Sequence, residues 1–136
     1  MKTTTLTLLL ALACGCKTHT PTENAPTKDT RVIRIETDPP GMRVYFGISG
    51  NEESARHQRE YVGESPCKLT VRCDEDGRFL NEVSSFAHPK AVFEAEPPAG
   101  TTNLFAQQQV FVVPALFVHP PPIPQAVFFD MHKPPP

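Results

Sequence analysis

Apolar and polar side chains alternate with a period of two in several short stretches of this chain. In the first stretch, Ile33, Ile35 and Thr37 alternate with charged residues from Arg31 onward. Successive side chains of a β-strand point to opposite faces, so this pattern predicts a strand with one face exposed to water. Residues 38–41, Asp-Pro-Pro-Gly, then predict a turn, because proline fixes φ and glycine accepts a positive φ.

Two further strands are predicted between this turn and residue 73. The second strand has an apolar or aromatic side chain at every other position: Met42, Val44, Phe46. The third spans residues 67–73 and follows a Gly-Glu-Ser-Pro turn at residues 63–66. Residues 48–60 lie between them and are dense in charge, which predicts an exposed loop or one short helical turn. We expect these charges not to pack, so that trypsin cuts the domain first at Arg56 or Arg59.

Cys67 and Cys73 occupy the ends of the third predicted strand. Six residues of extended chain separate their Cα atoms by about 20 Å. A disulfide requires a Cα separation below about 7 Å. We therefore expect both to be unbridged and to act as small buried apolar residues.

The C-terminal third contains short apolar stretches interrupted by proline, at residues 91–95, 104–105, 110–113, 115–118 and 126–129. Proline cannot donate to a β ladder, so the later stretches are predicted to form edge strands or short pieces. The His-Pro-Pro-Pro-Ile-Pro segment at residues 119–124 indicates a rigid spacer, or else a polyproline ligand. This third also carries five phenylalanines that are either core or a surface for a partner: Phe105, Phe111, Phe117, Phe128, Phe129.

Residues 35–41 and 93–100 share the order strand, acid, Pro-Pro, Gly. This similarity leaves open whether residues 91–133 form a second copy of the first unit. The chain has 16 prolines, 7 glycines and no tryptophan, which argues against long helices. The fold class predicted is all-β, a small sandwich-like antiparallel domain.

The first 17 residues, MKTTTLTLLLALACGCK, combine a cation, a short apolar run and small side chains, as an export signal does. The apolar run is too short for a transmembrane helix. The segment resembles a bacterial lipoprotein signal, whose final cysteine receives a diacylglyceryl group and becomes the first mature residue. By that resemblance Cys16, preceded by Gly15, is the expected lipidation site, and Cys14 is the alternative. A secretory signal without a lipid is also compatible with these residues.

The chain is thereby divided into a signal peptide (1–15), a flexible tether (16–30), a first β region (31–80), a C-terminal β extension of the same domain (81–133) and a short proline tail (134–136). The tether is predicted because residues 17–30 lack any apolar side chain larger than alanine.

The first β region resembles the PEGA domain, a small all-β module of bacterial and archaeal envelope proteins. Its two motif turns correspond to Pro39 and Gly41 in the first turn, and to Gly63, Ser65 and Pro66 in the second. Two residues depart from the family pattern, Pro40 and Met42, and the loop between the motifs is longer than usual. The resemblance implies a binding or structural module with no catalytic residue.

Composition and charge argue against nucleic-acid binding and against catalysis. Removal of residues 1–15 takes away Lys2 and no acid, which leaves 12 basic and 15 acidic residues. An acidic chain lacks the basic stripe that nucleic acids require. The chain is not expected to be an enzyme, because its sequence contains no nucleophile motif, phosphate loop, metal-ligand spacing or cofactor motif. Residues 74–77, Asp-Glu-Asp-Gly, indicate a plain acidic turn and not a calcium loop.

The predicted function is that of a non-catalytic, lipid-anchored envelope protein, located at the cell membrane or outer membrane and facing the periplasm or exterior. Its expected partners are the membrane, through the lipid, and an envelope protein or glycan. The alternatives are a module that contacts carbohydrate or peptidoglycan, for which only Tyr45 and Tyr61 could supply aromatic platforms, and an accessory subunit of an envelope complex.

Overall fold

A computed structural model describes residues 29–80 and 88–135 of the chain. The predicted signal peptide, both candidate lipidation cysteines and most of the predicted tether lie outside these described residues, as do residues 81–87 of the predicted C-terminal extension.

Seven strands and one short helix follow one another in these ranges: β1 (Thr30–Asp38), β2 (Arg43–Ser49), α1 (Glu52–His57), β3 (Glu60–Glu64), β4 (Cys67–Arg72), β5 (Lys90–Glu96), β6 (Gln107–Val112), β7 (Ala126–Asp130). They form two packed sheets, with strand orders β4-β1-β7 and β3-β2-β5-β6. The predicted all-β, sandwich-like fold is confirmed. One pairing was not predicted: β1 and β7 run parallel, whereas the other pairs are antiparallel.

The core lies between the two sheets and is built from the inward positions of the alternating strands. Ile33 and Ile35 of β1 are fully buried, and Val44 of β2 faces them from the other sheet. Phe93 of β5 fills the centre, with its ring 4.8 Å from that of Phe46. Burying aromatic and branched side chains in this way stabilises a small domain by about 1.5–3 kcal/mol for each large side chain.

The turn after β1 carries the chain from one sheet to the other, since β1 and β2 have no pairing with each other. The turn between β3 and β4 makes the same change in reverse. Both turns lie at one end of the sandwich, which we call the crossover end. The opposite end, where β1 begins at Thr30 and β5 begins at Lys90, is called the entry end.

The C-terminal third completes both sheets. β5 lies inside the four-stranded sheet, β6 forms its edge, and β7 forms an edge of the three-stranded sheet. The two late strands are therefore edge strands, as the prolines around them predict. The Pro-Pro-Gly stretch at residues 39–41 and the Pro-Pro-Ala-Gly stretch at residues 97–100 are not equivalent in the fold, because β1 leads into the other sheet whereas β5 leads into its own neighbour, β6.

Residues 48–60 are more ordered than the sequence suggests. Ile48 and Ser49 belong to β2, and α1 packs on the outer face of the four-stranded sheet. Ala55 of this helix is fully buried, and its carbonyl oxygen would overlap a Cβ atom placed on Gly47. The expectation that the charges of this segment cannot pack is wrong, because Arg56 and Arg59 pair with acids of β5.

Candidate functional site

The motif residues of the two predicted turns meet at the crossover end. The Ser65 hydroxyl accepts a hydrogen bond from the Met42 N–H at 3.0 Å and shares another with the Thr37 hydroxyl. The Ser65 N–H donates to the Met42 carbonyl oxygen at 2.9 Å, and the Gly41 N–H donates to the Ser65 carbonyl oxygen at 2.7 Å. The two turns are thus joined to each other by four hydrogen bonds.

The remaining motif residues shape these turns. Gly41 has a φ of 86°, which glycine adopts without strain. Gly63 lies in β3 opposite Val44, and the peptide bonds before Pro39 and Pro66 are cis. Ser65 is 4% exposed, so its hydroxyl serves the protein interior and not a ligand in solvent. The motif residues therefore act in folding, by holding two sheet-changing turns together.

A charged cluster on the outer face of the four-stranded sheet was not found by sequence reasoning. We call it the Glu94 cluster, and it consists of Arg43, Tyr45, Arg56, Arg59, Glu94 and Glu96. The side chain of Glu94 is 7% exposed and bonds to both Arg56, at 2.8 Å, and Arg59. Arg59 also bonds to Glu96 at 2.7 Å, and the guanidinium carbon of Arg59 lies 4.5 Å from the centre of the Tyr45 ring.

Ion pairs in this cluster hold α1 and the residues that follow it against β5. Burial opposes the charge of Arg59, but its hydrogen bonds to Glu94 and Glu96 outweigh burial and raise its pKa above the ordinary arginine value. Since a buried carboxylate is costly without charged partners, the two arginines stabilise Glu94 inside the sheet face. Arg56 belongs to α1 and Arg59 follows it, so the cluster fastens the helix to β5.

An open groove of about 890 Å³ lies over this cluster, between α1 and β5. Its lining is mainly charged, and it includes Glu52, Glu53 and His57 of the helix. Both oxygens of Glu94 already accept hydrogen bonds from arginine, which makes this carboxylate a structural partner and not a free base. Beside it, Tyr61 is 57% exposed and its ring stands 5.7 Å from that of Tyr45.

The five phenylalanines of the C-terminal third do not form one surface. Phe129 is 2% exposed and belongs to the core, and Phe111 of β6 packs against that core. Phe105, Phe128 and Phe117 are 40%, 54% and 87% exposed, respectively. The predicted partner surface is therefore divided between core positions and exposed sites.

Phe105 lies at the crossover end, because its N–H donates to the Met131 carbonyl oxygen, and the Met131 N–H donates to the carbonyl oxygen of Asp38 at the end of β1. Phe128 alternates with buried residues of β7 and so faces outward from the three-stranded sheet. Phe117 lies at neither of these places but in a tight turn after β6.

The proline-rich segment at residues 119–124 packs along the domain. The Arg78 Nε donates to the Pro120 carbonyl oxygen at 2.9 Å, and the Ile123 N–H donates to the Gly77 carbonyl oxygen at 2.8 Å. Ile123 is 3% exposed. An apolar groove of about 460 Å³ separates this segment from β6. The spacer interpretation fits these contacts, since a segment bonded to the domain at two points is not displayed as a ligand.

Two of the three acids in the turn at residues 74–77 have partners close to them in the chain. The Asp74 carboxylate accepts hydrogen bonds from the N–H groups of Asp76 and Arg78, and the Asp76 carboxylate pairs with Arg78 at 2.6 Å. At the end of β7, the hydrogen bond from Lys133 lowers the pKa of Asp130. Within residues 29–80 and 88–135, no three His, Cys, Asp or Glu side chains are placed to hold a metal ion.

Cys67 and Cys73 form no disulfide, as predicted from their positions on one strand. Cys73 is 6% exposed, and Cys67 is partly buried. Burial raises the pKa of the Cys67 thiol, because the charged thiolate is disfavoured away from water. This thiol is therefore neutral near pH 7 and has the character of a packing residue.

In the part of the chain that the structure describes, no helix has the length and apolar character needed to cross a membrane. Comparison of the chain with protein-family models, with curated proteins and with solved structures finds no match.

Proposed function

We propose that this chain is a non-catalytic, lipid-anchored protein of a bacterial cell envelope, in which a PEGA-like β module is held beside a membrane as a binding or structural component. The observation that carries this proposal is the N-terminal sequence: an apolar run from Leu6, followed by Ala-Cys-Gly-Cys, which is the order of a lipoprotein signal. Lys17 follows the anchor, and it is not the aspartate typical of retention at an inner membrane, so the outer membrane is the expected location where the cell has one.

The organisation of the domain supports a binding or structural role. About 14 residues separate Cys16 from Thr30, where β1 begins, and a chain of that length spans at most about 50 Å. The folded domain would therefore stay near the bilayer. Its conspicuous polar groups, the Ser65 hydroxyl and the Glu94 carboxylate, are engaged in holding turns and strands together.

Two cysteine variants test the lipid anchor. Cys16→Ser should move the protein from the detergent phase to the aqueous phase in a detergent phase separation, and should abolish an acyl group detected by mass spectrometry of the N-terminal peptide. Cys14→Ser is the matched control, because it removes a neighbouring thiol and leaves the acylated residue in place. An unmodified N-terminus in the native protein, or an acyl group retained in Cys16→Ser, would refute the assignment.

A second candidate function, contact with carbohydrate or peptidoglycan, is favoured by the tyrosine pair on the four-stranded sheet. Tyr61 is 57% exposed and lies against Tyr45, with the Arg59 guanidinium over the Tyr45 ring. Aromatic faces bordered by cations and carboxylates suit the apolar faces and hydroxyls of a sugar. Sedimentation with purified peptidoglycan tests this: Tyr61→Ala should reduce co-sedimentation, whereas Phe128→Ala, an exposed aromatic on the other sheet, should not.

A further inference from the structure

A tight turn that follows β6 carries the most exposed large apolar side chain of the described chain. The N–H and carbonyl groups of Ala115 and Val118 bond to each other at 3.2 and 3.0 Å, which closes the turn. Leu116 and Phe117 form its tip and are 62% and 87% exposed. Exposed large apolar side chains that lie together in this way mark a site of interaction with a protein or a membrane.

This turn, which we call the apolar tip, lies at the entry end of the sandwich. β6 ends at Val112, which pairs with Lys90, and the Val113 N–H donates to the Pro89 carbonyl oxygen at 3.0 Å. Lys90 in turn pairs with Ser49, at the end of β2 that lies away from the crossovers. The chain therefore leaves the sheet at the entry end immediately before the tip.

The segment that returns from the tip is also attached at this end. Its Ile123 bonds to Gly77, and a Cβ atom on Gly77 would overlap the guanidinium of Arg31, the second residue of β1. The start of β1, the loop that contains Gly77 and the segments on both sides of the tip are thus neighbours. Residues 1–28 must therefore join the domain at the same end as Leu116 and Phe117.

We propose that Leu116 and Phe117 insert into the interfacial region of the bilayer to which the chain is anchored, so that the entry end faces the membrane. This inference rests on the proposed lipid anchor. The occupant is assigned as lipid because the N-terminal segment joins the domain at the same end as the tip, and because its span of at most about 50 Å keeps that end near the bilayer. A lipid chain and an apolar side-chain contact together hold a protein at a surface more firmly than either does alone.

The surroundings of the tip are compatible with this contact. Val110 and Val112 of β6 are 39% and 40% exposed, and they border the apolar groove behind the tip. In the nearby acidic turn, Asp76 pairs with Arg78 and Asp74 accepts hydrogen bonds from backbone N–H groups, whereas Glu75 is exposed. The charges of Asp74 and Asp76 therefore oppose the approach of the tip to lipid less than free carboxylates would.

The natural chain has no tryptophan, so a single substitution supplies a unique fluorophore. Phe117→Trp places it in the tip, and Phe105→Trp places it at the crossover end as the matched control. The full-length acylated variants are reconstituted into phosphatidylethanolamine and phosphatidylglycerol vesicles, with and without brominated acyl chains. Circular dichroism of each variant checks that the fold is retained, and mass spectrometry checks that the lipid is present.

The expected result is a blue-shifted emission from the Phe117→Trp variant, with quenching by brominated lipid several-fold stronger than in Phe105→Trp. Equal quenching of the two variants, in chains that carry the lipid, would overturn the apolar tip as a membrane contact and leave the proposed anchor standing. The membrane contact would also be overturned if the tip fluorophore were shielded in the absence of vesicles, through self-association of the protein. It would likewise be overturned if the shielding occurred only after another envelope protein was added. Absence of the acyl group would refute the proposed anchor, and this inference with it.

Discussion

Substitution of Ser65 tests whether the bond between the two crossover turns determines the stability of the domain. In Ser65→Ala, the N–H of Met42 loses its acceptor, and Met42 is only 4% exposed, so water does not readily replace it. A buried donor left without a partner costs about 1–3 kcal/mol of unfolding free energy. The Thr37 hydroxyl loses its bond to Ser65 but keeps its hydrogen bond to the Pro39 carbonyl oxygen at 2.6 Å.

We therefore expect Ser65→Ala to lower the free energy of unfolding by about 2 kcal/mol, which corresponds to a melting temperature lower by about 10 °C in a domain of roughly 100 residues. The assay is urea unfolding and thermal unfolding in a Cys16→Ser background, which removes the predicted lipid. Thr102→Ala, an exposed threonine in the loop after β5, is the control and should stay within about 0.5 kcal/mol of the parent.

A double-mutant cycle identifies the interaction responsible. Thr37→Val removes the second hydroxyl of the pair, and the double variant should lose less stability than the sum of the two single losses, by about 0.5–1.5 kcal/mol. A Ser65→Ala variant as stable as its parent, or strictly additive losses, would show that the hydroxyl pair does not hold the turns together.

Three more predictions concern the Glu94 cluster, the packing of α1 and the burial of Cys67. Glu94→Ala should lower the unfolding free energy by about 2–3 kcal/mol, because it leaves two arginines without their shared acid, and it should speed trypsin cleavage at Arg56. The control is Glu53→Ala, which should change neither quantity because the Glu53 side chain is 88% exposed. Gly47→Ala should destabilise by about 3 kcal/mol, because its methyl group would overlap the Ala55 carbonyl oxygen, and an unchanged melting temperature would contradict the packing of α1. Alkylation of Cys67, followed by peptide mapping, should show a pH midpoint above the pKa of an unperturbed thiol, which is about 8.5. The unfolding free energy should fall as pH rises above about 8.5, since only the thiol of the unfolded chain then ionises. An alkylation midpoint at or below about 8.5 would refute the burial argument.

The sequence by itself determined the alternation of several strands and the turns between them, although it did not indicate β3 as a strand. Alternation at Ile33 and Ile35 specifies one buried face of β1, because side chains of a strand point to opposite sides whatever the strand pairs with. Proline specifies that β6 and β7 are edges, since it cannot donate to a ladder. The motif turns at Gly41 and Ser65 are equally local, because their conformations depend on a few adjacent residues.

The tertiary structure alone decided which strands pair and which polar groups meet. Nothing near β1 in the sequence indicates that its parallel neighbour is β7, because pairing is set by the burial of the whole core and not by local preference. The same holds for Glu94: an acid within the apolar run Ala-Val-Phe-Glu-Ala was a visible anomaly, but its arginine partners lie about 35 residues away. The placement of Phe117 at the same end of the domain as the start of β1 likewise arises only when both sheets close, since chain segments far apart in sequence become neighbours through packing.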